Sequence, residues 1–166
     1  MKRWVWPLLY LLSILFANIV VVRFGIVHLF GLVFPAGVVF VGLTFSFRDF
    51  VQRYWSDKAT WFWMLLAGVI TLFLNWKVAF ASVAAFLVSE GVDWLVFKIS
   101  NLPFYKRIYV SNLFSCPLDS LIFVSIAFGW IWPAIWGQAI IKYLSGLLVL
   151  PFVWWSTYYR RNSGNA

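Results

Sequence analysis

Cysteine and histidine are nearly missing from this chain of 166 residues: Cys116 is the only cysteine and His28 the only histidine. That inventory excludes an internal disulfide and a cysteine-based zinc site, and one imidazole without neighbouring acids makes a poor metal centre. Cys116 therefore reads as a small packing residue and His28 as an interfacial one, with no metal and no cofactor expected. Charge is scarce as well, at 11% of residues with five carboxylates, where soluble domains carry about a quarter. With 64% hydrophobic residues and a mean hydropathy of +0.90, the chain reads as an integral membrane protein. Spans of about 20 residues leave no room for a separate soluble catalytic or nucleotide-binding module, so a single domain over 1–166 and no enzyme activity are expected. Any ATP-driven step would have to be supplied by another protein.

What is present is apolar length punctuated by basic residues. The pattern predicts an all-α, six-transmembrane-helix bundle with spans at about 4–22, 29–47, 60–75, 78–97, 111–129 and 134–155. Lys2, Arg3, Arg48, Arg53, Lys58, Lys98, Lys106, Arg107, Arg160 and Arg161 then fall on one side, Arg23 and Lys77 on the other, and Lys142 inside a span. This asymmetry marks membrane topology rather than a nucleic-acid surface, and by the positive-inside rule both termini are cytoplasmic. The first apolar run ends in Val20, Val21, Val22 and Arg23 without a small-residue cleavage site, so it reads as a retained helix and not a signal peptide. Trp61, Trp63 and Trp76 suit an interfacial belt. Pro35 predicts a kink in the second span, and the polar tail from Asn162 to Ala166 is expected to be disordered.

The acids carry the functional reading. Glu90 and Asp93 lie three apart in ASVAAFLVSEGVDWLVF and share a helical face with Ser82, Phe86 and Ser89. On the next span Asn112, Ser115 and Asp119 follow i, i+3, i+7, and Pro117 frees a carbonyl nearby. The expected span ends put Glu90 and Asp119 at one level. An intramembrane acid is a functional-site hypothesis by default. Lys142 either snorkels or neutralises an acid, and Arg48 with Asp49 is either a surface pair or a gate facing the bundle. A structural salt bridge remains open for the set, but three acids exceed what one lysine balances. Asn18 reads as a helix-packing amide or a ligand-facing one.

Three stretches, FGLVFPAGVVFVGLTFSFRDFVQRYW, ASVAAFLVSEGVDWLVF and SNLFSCPLDSLIFVSIAFG, together resemble the vitamin uptake transporter family, which includes the queuosine precursor transporters. The resemblance covers about residues 17–129. It implies a six-helix importer of the 7-deazaguanines preQ0 or preQ1 in a bacterial cell membrane or encoded by a phage. It further implies a site drawn from Phe86, Ser89, Glu90, Asp93, Asn112, Ser115 and Asp119, with Arg48 and Asp49 in the second-helix motif. Glu90 stands where many members have Gln, and Cys116-Pro117-Leu118 replaces a Ser-Gln-Leu run, which bears on the substrate more than on the class.

Chemistry supports that expectation independently. A 7-deazaguanine presents a ring N–H beside an exocyclic amine, which one carboxylate accepts as two parallel hydrogen bonds. Glu90 or Asp119 is the candidate carboxylate, Phe86, Trp94 or Phe97 a stacking partner, and Asn112 a donor to the ring carbonyl. One alternative is the substrate-binding component of an energy-coupling-factor transporter, which needs ATPase partners; another is an aspartyl intramembrane protease, whose GxGD-type sequence is missing. The outer helix faces leave room for a homodimer, though no motif specifies one.

Overall fold

The computed structural model describes residues 4–100 and 104–145, apart from the side chains of Ser46, Asp49, Arg53, Asp93, Trp94, Phe97, Lys98, Phe104, Tyr105, Arg107, Ile108 and Tyr109. The tail from Asn162, and the expected last span beyond 145, lie outside the described residues.

Helix α1, Val5–Phe24, shows the organising principle of the bundle. Its buried residues Tyr10, Ser13, Ile14, Ala17, Asn18 and Val21 recur every three or four positions and include two polar side chains, while Leu8, Leu12, Phe16 and Ile19 on the opposite face are exposed. A helix apolar all round, with its polar residues turned inward, is built for a hydrocarbon solvent. By length and composition α1 and residues Val110–Ala127 are long and apolar enough to cross a membrane.

After α1 the chain departs from expectation. Instead of a kinked helix from Leu29, strands β1 (Ile26–Leu29) and β2 (Leu32–Pro35) pair antiparallel, with Ile26 opposite Pro35 and Leu29 opposite Leu32. Phe30 and Gly31 form the two-residue turn with φ of 51° and 76°, the positive pair that matches strand twist in a tight hairpin. Pro35 therefore kinks nothing: it ends a strand, and α2 starts at Val38. Hydropathy alone does not distinguish a short β-branched run from the start of a helix. His28 is exposed on this hairpin.

Helix α2, Val38–Tyr54, runs past the expected end at 47, so Arg48 lies well inside a helix rather than before a loop. Ser56 caps α3 (Asp57–Leu72) by accepting from the Ala59 N–H at 3.2 Å, and Asn75 caps α4 (Trp76–Ile99) by accepting from Val78 N–H at 3.1 Å. Helix α5, Phe104–Ala127, begins about two turns earlier than expected and holds Pro117 in its interior. A sixth helix, α6, is described over 132–145.

Among α1 to α5, the α4–α5 interface is the most extensive, followed by α1–α2. The apolar core is split. One cluster, with Val21, Val78, Ala81, Ala85, Phe123, Val124 and Ala134, lies towards the hairpin; the other, with Tyr10, Ile14, Val51, Met64, Ala67 and Phe86, lies towards the opposite end. Exposed aromatics mark the hairpin end, among them Phe30, Phe73, Trp76, Trp130, Trp132 and Trp136, as an interfacial belt would. Trp61 instead meets Phe86 edge-on at 6.2 Å.

The hairpin is fastened by a tight backbone approach to α6. A Cβ built on Gly137 of α6 would collide with the Val33 carbonyl of β2. Because the obstruction is backbone, Gly137→Ala is expected to lower stability by roughly 1–3 kcal/mol, the usual range for overpacking. Thermal unfolding in detergent would test this, and an unchanged midpoint would mean that the two elements do not touch.

Candidate functional site

Between the two core clusters lies a cavity of about 670 Å³, its open side included, lined from all six helices. The wall is mostly aliphatic, with Phe45, Phe86 and Phe123 as flat surfaces, and its polar groups are Asn18, Thr44, Ser82, Asp119, Gln138 and Lys142.

The strongest electrostatic feature of this wall joins α5 to α6. Lys142 Nζ pairs with Asp119 Oδ2, both side chains being buried. The ammonium also lies 5.8 Å from the Phe123 ring centroid, a cation–π distance. Lys142 thus neutralises an acid instead of snorkelling, and it engages one carboxylate oxygen of two.

Asn18 is oriented by a relay. Thr71 Oγ1 donates to the Ala67 carbonyl at 2.8 Å, so its oxygen is left to accept from Asn18 Nδ2 at 3.0 Å. A threonine hydroxyl has a single proton, and the Asn18 amide is therefore set with its nitrogen on Thr71 and its carbonyl oxygen turned over to other partners. Both sequence readings of Asn18 meet here, since the residue packs helices and lines the cavity. Thr44 Oγ1 sits 3.0 Å from both Ser13 Oγ and the Phe40 carbonyl, which hold it on α2.

Glu90 lies elsewhere. Its carboxylate is 3.1 Å from Arg48 Nη1 and accepts from Gln52 Nε2 at 3.3 and 3.4 Å, with both charged side chains buried. The Arg48 guanidinium is 5.1 Å from the Phe45 ring centroid. Phe45 and Phe86 line the cavity, while Arg48 and Glu90 follow them by one helical turn on α2 and α4 and do not line it.

The structure therefore does not put Glu90 and Asp119 at one level. With a rise of about 1.5 Å per residue, Asp119 is ~22 Å from the start of α5 at Phe104, and Glu90 ~14 Å from the end of α4 at Ile99. The early start of α5 accounts for the difference. Of the other expected site residues, Phe86 reaches the cavity, and Ser89 is buried and donates to the Phe86 carbonyl at 3.0 Å within its own helix. Asn112 and Ser115 are buried on α5 without lining the cavity. The side chains of Asp49, Asp93, Trp94 and Phe97 lie outside the described residues.

Sequence reasoning missed Gln138, which is 2% exposed and lines the cavity. Its signal was available: it is a carboxamide four residues before Lys142 in an apolar run, and so on the same helical face.

No curated protein and no solved structure matches the chain. The family model described as putative vitamin uptake transporter matches residues 67–156, more than half of the chain. Those bounds include Phe86, Glu90, Asp119, Gln138 and Lys142 and leave out the stretch with Arg48 and Asp49. With its inward polar residues and its two apolar helices of spanning length, this membrane protein belongs to the putative vitamin uptake transporter family.

Proposed function

We propose that this transporter imports 7-deazaguanine bases, preQ0 or preQ1, through the central cavity. The observation that carries the reading is a carboxylate, Asp119, held by Lys142 through one oxygen in the wall of a cavity that also presents phenylalanine rings. A flat bicyclic base with a ring N–H beside an exocyclic amine suits that wall: the carboxylate accepts both hydrogens, and the rings cover the faces. Lys142 balances the acid when the cavity is empty and can donate to a ring carbonyl when it is filled. Of the two acids expected from sequence, Asp119 takes the ligand role.

In this reading the six helices all cross the cell membrane and both termini are cytoplasmic. The hairpin then faces outward, and the Arg48–Glu90 pair closes the cytoplasmic side below Phe45 and Phe86. Uptake of labelled preQ0 and preQ1 into cells that make neither tests the reading. Wild-type protein should restore uptake of at least one, and Asp119→Asn at equal membrane expression should reduce it at least tenfold. A membrane-inserted wild type that moves neither base would sink the importer reading; co-purification of ATPase subunits would then favour a binding component of an energy-coupling-factor system.

A further inference from the structure

Among the described residues, Gln138 is a buried carboxamide in the cavity wall whose oxygen is left unpaired. It is 2% exposed, it lines the cavity, and its carboxamide oxygen has no hydrogen-bond partner among the described residues. A buried amide left unmet carries a free-energy cost that packing alone does not explain. Asn18, the other carboxamide in the wall, is anchored by Thr71; Gln138 has no comparable anchor among the described residues.

Its placement suggests what satisfies it. Gln138 is one turn before Lys142 on α6, Lys142 touches Asp119, and all three line the same cavity, so carboxamide and carboxylate face one ligand space. A carboxamide offers one donor and one acceptor side by side, and it is satisfied by a ligand edge carrying the complementary pair. When the ring N–H and exocyclic amine of a deazaguanine are taken by Asp119, the adjacent edge presents a pyrimidine nitrogen, which accepts, next to the pyrrole N–H, which donates. That pyrrole nitrogen is the position at which a nucleoside carries its sugar.

We propose that Gln138 is a specificity-determining residue that reads the pyrrole N–H edge and so selects the free base over N-glycosylated forms. The inference rests on the importer reading above. Carboxamide and ligand edge satisfy each other in the free base; a substituent on the pyrrole nitrogen removes the donor and strands the buried oxygen.

The test is equilibrium binding to purified full-length protein of preQ0 and preQ1 and of their analogues methylated on the pyrrole nitrogen, for wild type, Gln138→Leu and Gln138→Glu. Wild type should prefer the unmethylated base by about tenfold or more, consistent with loss of a paired hydrogen bond at a buried site. Gln138→Leu should bind each base and its methylated analogue within about twofold, mainly by weakening the free base. Gln138→Glu keeps an acceptor for the pyrrole N–H, so it should retain part of the preference, which a purely structural role for Gln138 would not give. Wild-type binding without discrimination, or the same ratio in wild type and Gln138→Leu, overturns the role of Gln138 and leaves the importer reading standing. Failure of wild type to bind preQ0, preQ1 or any of these analogues overturns both.

Discussion

Lys142→Met is expected to destabilise the bundle by about 3–5 kcal/mol, the range for removing one partner of a buried ion pair. The remaining Asp119 carboxylate would sit in an apolar wall with its counter-ion gone. Asp119→Leu should cost a similar amount by leaving the ammonium. The double variant Asp119→Leu/Lys142→Met should return most of the lost stability, because two apolar side chains of suitable size replace a desolvated pair at little net cost. Uptake should stay abolished in all three. The comparison separates two contributions of one pair: packing between α5 and α6, which greasy residues can supply, and the proposed recognition of ligand N–H groups, which they cannot. Denaturation midpoints in detergent alongside uptake provide the measurement. A double variant as unstable as the singles would contradict a direct Asp119–Lys142 interaction, and one that still transports would remove the carboxylate from the mechanism.

Glu90→Ala should have the opposite profile. Because Glu90 is bound to Arg48 and Gln52 and does not line the cavity, ligand binding to purified protein should change by less than about threefold, whereas uptake should fall at least tenfold. Loss of a buried carboxylate leaves the Arg48 guanidinium with less compensation between α2 and α4, on the side that the proposed importer reading gives to ligand release. Exchanging the charges, Arg48→Glu with Glu90→Arg, should recover part of the uptake, since the sign of each partner matters less than the attraction between them. Binding impaired by Glu90→Ala as severely as by Asp119→Asn would place Glu90 in the ligand pocket after all.

The contrast between these two acids shows where sequence was legible. Glu90 and Asp119 both stood out, because a carboxylate in an apolar helix has few innocent explanations. Their separation did not. It depends on where α5 begins, and the residues before Val110 are polar and basic enough to read as a loop although they continue the helix. The inward face of α1 is readable at Asn18, and the sequence leaves Lys142 as either partner or snorkel; only contacts across helices choose between them. The hairpin was hidden for a different reason. Ile26–Leu29 and Leu32–Pro35 are as greasy as a span, and the decisive clue was a single Phe30-Gly31 step that needs two positive φ values. Gln138 is less conspicuous in sequence because an uncharged amide is common in membrane helices as a packing group, although burying an unmet amide is also costly.

The hairpin also bears on how the molecule can move. Two residues separate β2 from α2, and the Val33 carbonyl rests on Gly137, so the first turn of α2 and the second turn of α6 are held to the same small plate. Neither helix can tilt alone at that end. Alternating access would then have to swing α2, the hairpin and α6 together as one lever, with the pivot towards the plate and the widest travel at the far end, where Arg48 meets Glu90.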